Sequence, residues 1–223
     1  MSEFPLDPTL SKMIISASQQ FYCMNEILTI VSLISVPNVF MRPRENMVEA
    51  DQAKRKFVHQ DGDHLTLLNA YNAFCLKDFN ADWCWDNFLN FRALNQAKNV
   101  RNQLQNMAVK QGLEMSSTSP NDGEFYDNIK KCLLSGFFMQ SAHLERAGHY
   151  LTLKDDQVVM IHPSTSIDSK PSWVMYNEFV LTTKNYIRTV TVIKPEWLLE
   201  ASPEYFDLDE FKNTEYKKKL ERV

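Results

Sequence analysis

Residues Val158–Glu200 read VVMIHPSTSIDSKPSWVMYNEFVLTTKNYIRTVTVIKPEWLLE. Two runs within it, Trp173–Thr183 and Tyr186–Ile193, are dominated by aromatic and β-branched residues and joined at Lys184-Asn185. Such side chains suit a pleated, half-buried surface, so the pair predicts a β-hairpin. A third strand is expected over Val158–His162. Alternation in the last run puts Tyr186, Arg188, Val190 and Val192 on one face, and Ile187, Thr189, Thr191 and Ile193 on the other. From Phe179 to Pro195 there are three basic residues, Lys184, Arg188 and Lys194, and no acidic one. A small sheet with a basic, aromatic tip suits a polyanion. The plainer alternative is an ordinary hairpin with solvated lysines.

Upstream of the hairpin, strands are expected near Tyr150–Leu153 and Val158–His162, with Asp155-Asp156 as the turn between them. Before them the pattern is helical. Met13–Ile34 reads as two helices meeting near Cys23, with Asn25 as a candidate N-cap for the second. That helix must stop before Pro37, because the residue preceding proline avoids the helical region. The connector SVPNVFMRPRE presents Ser35, Asn38, Arg42 and Arg44 around apolar Val36, Val39 and Phe40. Helices are then expected over Glu49–Phe57, over His64–Leu76 capped by Asp63, and from Asp82 or Ala81 through DWCWDNFLNFRAL, with or without a kink, to a stop at Gly112. Phe125–Leu144 is read as one more helix, with Gly136 marking close packing or a break. Pro195 opens a last helix, followed by the acidic SPEYFDLDEF and the basic KKKLERV. The layout is helical for roughly the first half, then a small barrel-like β unit with a helix at each end.

The bulk numbers narrow the classes of function. The chain has 223 residues, 44% of them hydrophobic and 23% charged, as in globular proteins with a sizeable core. Net charge is −4, which argues against a generic nucleic-acid glue, so local sign matters more than the total. Cys23, Cys75, Cys84 and Cys132 are scattered without a C-x-x-C pair, so reduced, buried thiols are expected, as in the cytosol or nucleus. No run reaches the roughly 18 apolar residues of a membrane span. The opening MSEFPLDPTL lacks the basic flank and apolar core of a signal peptide and reads as a cut through a longer polypeptide.

No phosphate-cradling glycine loop and no nucleophile elbow is present. His59 and His64 bracket Asp61 and Asp63, but the spacing matches no zinc signature and a helix-capping turn explains it better. Trp83, Trp85, Phe88 and Phe91 could stack bases, but their helical spacing favours a core face. Arg92 and Arg101 are expected to pair with Asp86 or solvent. His162, at a strand end before Pro163, is expected to hydrogen-bond the Ser164-Thr165-Ser166 turn, with ligand phosphate as a further role.

Longer segments carry a resemblance. EILTIVSLISVPNVFMRP, GDHLTLLNAYNAF, WCWDNFLNFRALNQAKNVRNQL, FYDNIKK, LLSGFFMQSA, IHPSTS, WVMYNEFVLTTKNYIRTVT and PEWLLEASPEYFDL, with FPLDP before them, together cover nearly all of residues 4–208. They resemble the C-terminal region of DEAH-box RNA helicases, and FVLTTKNYIRTVT favours the branch that disassembles spliceosomes and works in ribosome biogenesis. The resemblance implies an α+β fold: the end of a winged helix and a helical ratchet bundle over residues 1–115, then a linking helix, a small OB-fold β-barrel and a C-terminal helix and tail over residues 116–223. It implies an accessory module of an ATP-dependent 3′-to-5′ RNA helicase, with ATP and Mg²⁺ handled by motor domains of the parent and no cofactor in these residues. Single-stranded RNA would run between those motor domains and the ratchet and OB units. The implied RNA-binding residues are Ser35, Asn38 and Arg42 in the SVPNVFMRP turn, and His162, Ser164, Lys184, Tyr186 and Arg188 in the OB unit. No catalytic or metal-binding residue is implied. Implied partners are single-stranded RNA, glycine-rich G-patch activators and spliceosome components, with no membrane, and the implied location is nuclear. The acidic stretch Glu196–Glu210 leaves open a second reading, a protein-docking platform with little RNA binding.

Overall fold

The computed structural model describes residues 7–203. The acidic and basic tail and the first half of FPLDP therefore lie outside the described residues. Helix α1 spans Pro8–Gln19 and α2 spans Met24–Ile34. The first starts earlier than its apolar pattern suggests, because the Asp7 carboxylate accepts the Thr9 N–H at 2.8 Å and Pro8 takes the first turn, where its missing N–H costs nothing. Asn25 does not cap α2. It sits inside the first turn, donates through Nδ2 to the Ser116 carbonyl and accepts from Arg101 through Oδ1. Arg101 is thereby held by Asn25, Thr29 and Gln105 rather than by Asp86.

A short 3₁₀ turn leads into α3, Met47–Arg55, followed by α4, Asp63–Leu76. The expected long aromatic helix is two helices, α5 over Ala81–Asp86 and α6 over Phe91–Lys110. Phe88 adopts a left-handed backbone, φ +53°, and breaks the run. Asn80 and Asn90 then N-cap the two pieces, accepting from Trp83 and Ala93. Gly112, φ +72°, follows α6 as expected.

Helix α7, Phe125–Phe137, is shorter than its sequence pattern. Ser141–Leu144, read as helix, is the first barrel strand, β1. Gly136 marks the closest approach to α1: a β-carbon there would lie 2.7 Å from Met13 Cγ and from the Thr9 carbonyl. Strands β2, Tyr150–Thr152, and β3, Val158–Ile161, turn at left-handed Asp156. Strands β4, Trp173–Leu181, and β5, Asn185–Val192, form the hairpin, and α8, Glu196–Ala201, closes the described residues. The strands form a closed barrel in the order β1-β2-β3-β5-β4, sealed by the parallel β3–β5 pair Met160↔Tyr186 and Ile161↔Ile187. This is an α+β fold, a helical bundle followed by a small OB-like barrel.

The simple face assignment of β5 does not survive. Thr189 is left-handed, φ +55°, and shifts the alternation, so Ile187 joins Val190 and Val192 in the barrel interior while Arg188 is exposed. The β4 strand is buried on both sides. Val174 and Tyr176 fill the barrel, whereas Trp173 and Met175 join Ile193 in one core with α1, α2, α4 and α7. Bundle and barrel therefore share apolar packing.

A polar clasp fixes their register. The buried Asp63 carboxylate accepts four hydrogen bonds from the barrel: Ser166 N–H at 2.7 Å, Ser166 Oγ at 2.6 Å, Thr165 Oγ1 at 2.9 Å and Val190 N–H at 2.8 Å. His64 Nδ1 lies 2.9 Å from Thr191 Oγ1, and the Val192 N–H donates to the Asp61 carbonyl at 2.8 Å. Gly62, at φ +130°, bridges Thr191, and a β-carbon there would fall 2.7 Å from Thr191 Cα and closer still to the Val190 carbonyl. Asp63, His64 and the Asp61 carbonyl thus form a joint between two units, while the His59 ring meets Tyr126 and the Asp61 carboxylate pairs with Lys130 on α7. Asp63 serves the barrel rather than capping its own helix, and no metal-holding group is found among the described residues.

Two outcomes follow from the joint. Gly62→Ala meets both forbidden backbone space and a backbone clash, so it should destabilise the fold by at least about 3 kcal/mol, read by urea unfolding. Burial lowers His64 from its ordinary 6.5 to about 4. Above pH 6.5 neither state is protonated there. Between 6.5 and 4 the unfolded chain binds a proton that the folded chain refuses, so stability falls as pH falls, by up to roughly 3 kcal/mol. The slope of unfolding free energy against pH across this window should be steeper in the wild type than in His64→Gln by about 1.4 kcal/mol per pH unit.

Candidate nucleic-acid interface

The expected site residues fall into three groups. Ser35 is the C-cap of α2, and its hydroxyl donates to the Val31 carbonyl at 2.7 Å. With its proton committed, Ser35 meets a ligand as an acceptor. Asn38 begins the turn that leads to α3. Its Oδ1 accepts the Phe40 N–H at 3.2 Å, which leaves the Nδ2 donors facing outward on an exposed residue. The turn is rigid. Val39 is buried, Phe40 bridges Leu89, and the Asn90 N–H donates to the Val39 carbonyl. Arg42 is exposed but engaged, with Nε and Nη2 donating to the two Asp51 oxygens at 2.7 and 2.8 Å.

The second group is the HPSTS turn after β3. His162 Nδ1 accepts the Ser164 N–H at 3.1 Å and lies 2.7 Å from Ser164 Oγ, as expected for a histidine tied to its own turn. An accepting Nδ1 places the proton of the neutral ring on Nε2, which is then a donor. The His162 ring meets Tyr186 edge-on at 5.4 Å.

The third group is the hairpin tip. The turn is Thr182-Thr183-Lys184, with Asn185 already in β5. Lys184 is exposed and has no acidic partner among the described residues. Arg188 does have one, Glu178 on β4, its register partner. Lys194 pairs with Asp127 at 2.8 Å. The run that looked uniformly basic in sequence is two-thirds neutralised by acids from neighbouring elements.

One residue that sequence reasoning missed joins the first two groups. Lys54 on α3 donates to the Ser164 carbonyl at 2.6 Å, and its ammonium lies 5.1 Å from the Phe40 ring centroid. Burial lowers its pKa, opposed by Asp63 and Asp51. A continuous line therefore runs from the Asn38 turn through Phe40, Lys54, Ser164 and His162 to Tyr186, crossing from bundle to barrel. Nothing in the local pattern around Lys54 marks it, since its partners lie far away in sequence. The aromatic cluster behaves as core in Trp83 and Phe91, but Trp85 stands 77% exposed on the α5 surface.

This is an oxygen- and nitrogen-lined face on a bundle-plus-barrel scaffold. Residues 7–67 match the helicase associated domain (HA2), ratchet-like, and residues 129–205 match the oligonucleotide/oligosaccharide-binding (OB)-fold. The chain carries a helicase-associated ratchet domain and an OB fold. The two together support a DEAH-box-type helicase C-terminal region. The Asn38–Arg42 turn, Lys54 and the Asp63 clasp lie in the ratchet match, and the HPSTS turn and hairpin lie in the OB match. The two matches fit an accessory C-terminal module of a helicase. No helix among the described residues is long and apolar enough to cross a membrane.

Proposed function

We propose that this region grips the backbone of single-stranded RNA for an ATP-dependent 3′-to-5′ RNA helicase, without reading sequence. The observation that carries the reading is the unbroken polar line from Asn38 through Lys54 and Ser164 to His162 and Tyr186, shared by both domains. The free donors Asn38 Nδ2 and His162 Nε2 along it, and the Lys184 ammonium at the separate hairpin tip, suit phosphate oxygens. Contacts of that kind position a strand without specifying it, which a processive motor needs. ATP and Mg²⁺ would be used by motor domains of the same parent, and those domains would form the other wall of the RNA path. The sequence resemblance extends the reading to a nuclear protein of pre-mRNA splicing, spliceosome disassembly and ribosome biogenesis.

A second reading has its own support. Arg42 and Arg188 are already neutralised by Asp51 and Glu178, which weakens the attraction for a polyanion. On this reading the face docks G-patch activators, and RNA contact is incidental.

The two readings separate in solution. On the first, labelled oligo-uridine binds the 223-residue chain, and log K falls against log salt with a slope of about −0.7 per phosphate contact. Lys184→Glu with Arg188→Glu should remove most of that affinity and leave capture of a G-patch peptide intact. A flat salt response, or loss of peptide capture with RNA binding unchanged, contradicts the RNA reading.

A further inference from the structure

The barrel has an open end beside the hairpin tip. A cavity of about 390 Å³ opens there, lined by Met139 and Gln140 before β1, Lys154 and Asp155 in the β2–β3 turn, and Tyr176 and Phe179 on β4. The hairpin tip and the β2–β3 turn share this end, because Asn185 Nδ2 donates to the Val158 carbonyl at 3.4 Å. Tyr176 is only 6% exposed, yet its hydroxyl has no hydrogen-bond partner among the described residues. Burial, then nearby Asp155, pushes that hydroxyl up to about 12, so it remains a donor at neutral pH. Gln140 Nε2 donates to the Asn177 carbonyl at 2.8 Å, which leaves Gln140 Oε1 as an acceptor at the cavity wall.

The rim is unusual for a soluble surface. Phe179 on the cavity wall is 42% exposed and its same-face neighbour Leu181 76%, next to the tip that carries Lys184, while Val158 and Met160, 53% and 41% exposed, stand on the outer face of β3 opposite the interior Val159 and Ile161. Apolar and aromatic area beside lone cations is the composition of a base-stacking platform. Barrel mouths are also common ligand sites. A bare phosphate is a poor occupant, because Asp155 would repel it. A nucleobase fits better, since its edge carries both donors and acceptors and its faces are apolar.

We infer that the barrel mouth takes one unstacked nucleobase of the bound strand, with Phe179 against its face, Tyr176 and Gln140 at its edge, and Lys154 or Lys184 near the adjoining phosphate. This rests on the reading that the region binds single-stranded RNA and adds a base contact to a backbone grip. It predicts tolerance rather than a code, because stacking accepts every base.

The test uses the 223-residue chain and a labelled oligo-adenosine of about twelve nucleotides, a length spanning one OB site, intact or with abasic positions throughout. Phe179 is exposed, so Phe179→Ala leaves the barrel core in place, which circular dichroism checks. Phe179→Ala should weaken intact-strand binding roughly 5-fold or more, without changing the salt slope, because no charge is lost. Tyr176→Phe, which keeps the ring and removes the hydroxyl, should weaken it less. On the abasic strand the wild type should bind as weakly as Phe179→Ala, and the variant should lose nothing further. Equal losses on both strands, or no loss on either, overturn the base pocket while salt-dependent wild-type binding keeps the backbone reading. No wild-type binding to either strand at low salt overturns both. Retained RNA affinity together with loss of G-patch peptide capture in Phe179→Ala also overturns the pocket and assigns the cavity to a protein partner.

Discussion

The Asp63 carboxylate takes four hydrogen bonds from the barrel, and the rest of the molecule is arranged around meeting that demand. A buried carboxylate is tolerated only when its lone pairs are filled, and removing one donor leaves an expensive unpaired group. The donors come from two separate barrel segments, the Thr165-Ser166 turn and β5. Both must therefore reach the same point on the N-terminus of α4. Gly62 permits the approach, because any side chain there would strike Val190 and Thr191. His64 stays neutral and packs its ring against Phe137 at 5.7 Å, joining the clasp to the apolar core. The clasp holds bundle and barrel in one register.

That register sets the functional face. The turn held by Asp63 through Thr165 and Ser166 is the same turn that carries Ser164 and is tied to His162. Lys54 reaches it from the other side and touches Phe40. The polar line across the two units is thus a by-product of a well-satisfied interior. The ion pairs on this face are exposed and individually weak. Asp51 and Glu178 can give up Arg42 and Arg188 to an incoming phosphate at little cost.

Local patterns made much of this legible. The strand-rich second half, the hairpin, the stop before Pro37, the close contact at Gly136 and the tie between His162 and Ser164 all follow from composition and spacing within a few residues. Two of the failures share a physical origin in distance. Asp63 looked like a helix cap because its actual donors are about a hundred residues away. Arg188 and Lys194 looked free because their acids come from β4 and α7. A kink in the long aromatic helix is among the expectations, but its place at Phe88 and the break at Thr189 have no local mark, because neither residue type signals a left-handed backbone. The SAHL strand was absorbed into a helix because its apolar spacing continues that of α7. Lys54 was missed because a lysine on a charged helix has no local mark.

The central claim is that RNA affinity depends on the clasp although the clasp touches no RNA. The most direct measurement is oligo-uridine binding by Asp63→Asn, at low salt and at a temperature where circular dichroism and urea unfolding show both proteins folded. The account predicts at least a tenfold weakening, with retained secondary structure, because the amide turns one acceptor into a donor that faces either the Ser166 N–H at the Oδ1 position or the Val190 N–H at the Oδ2 position, and releases the turn. Wild-type affinity in a folded Asp63→Asn protein would contradict it.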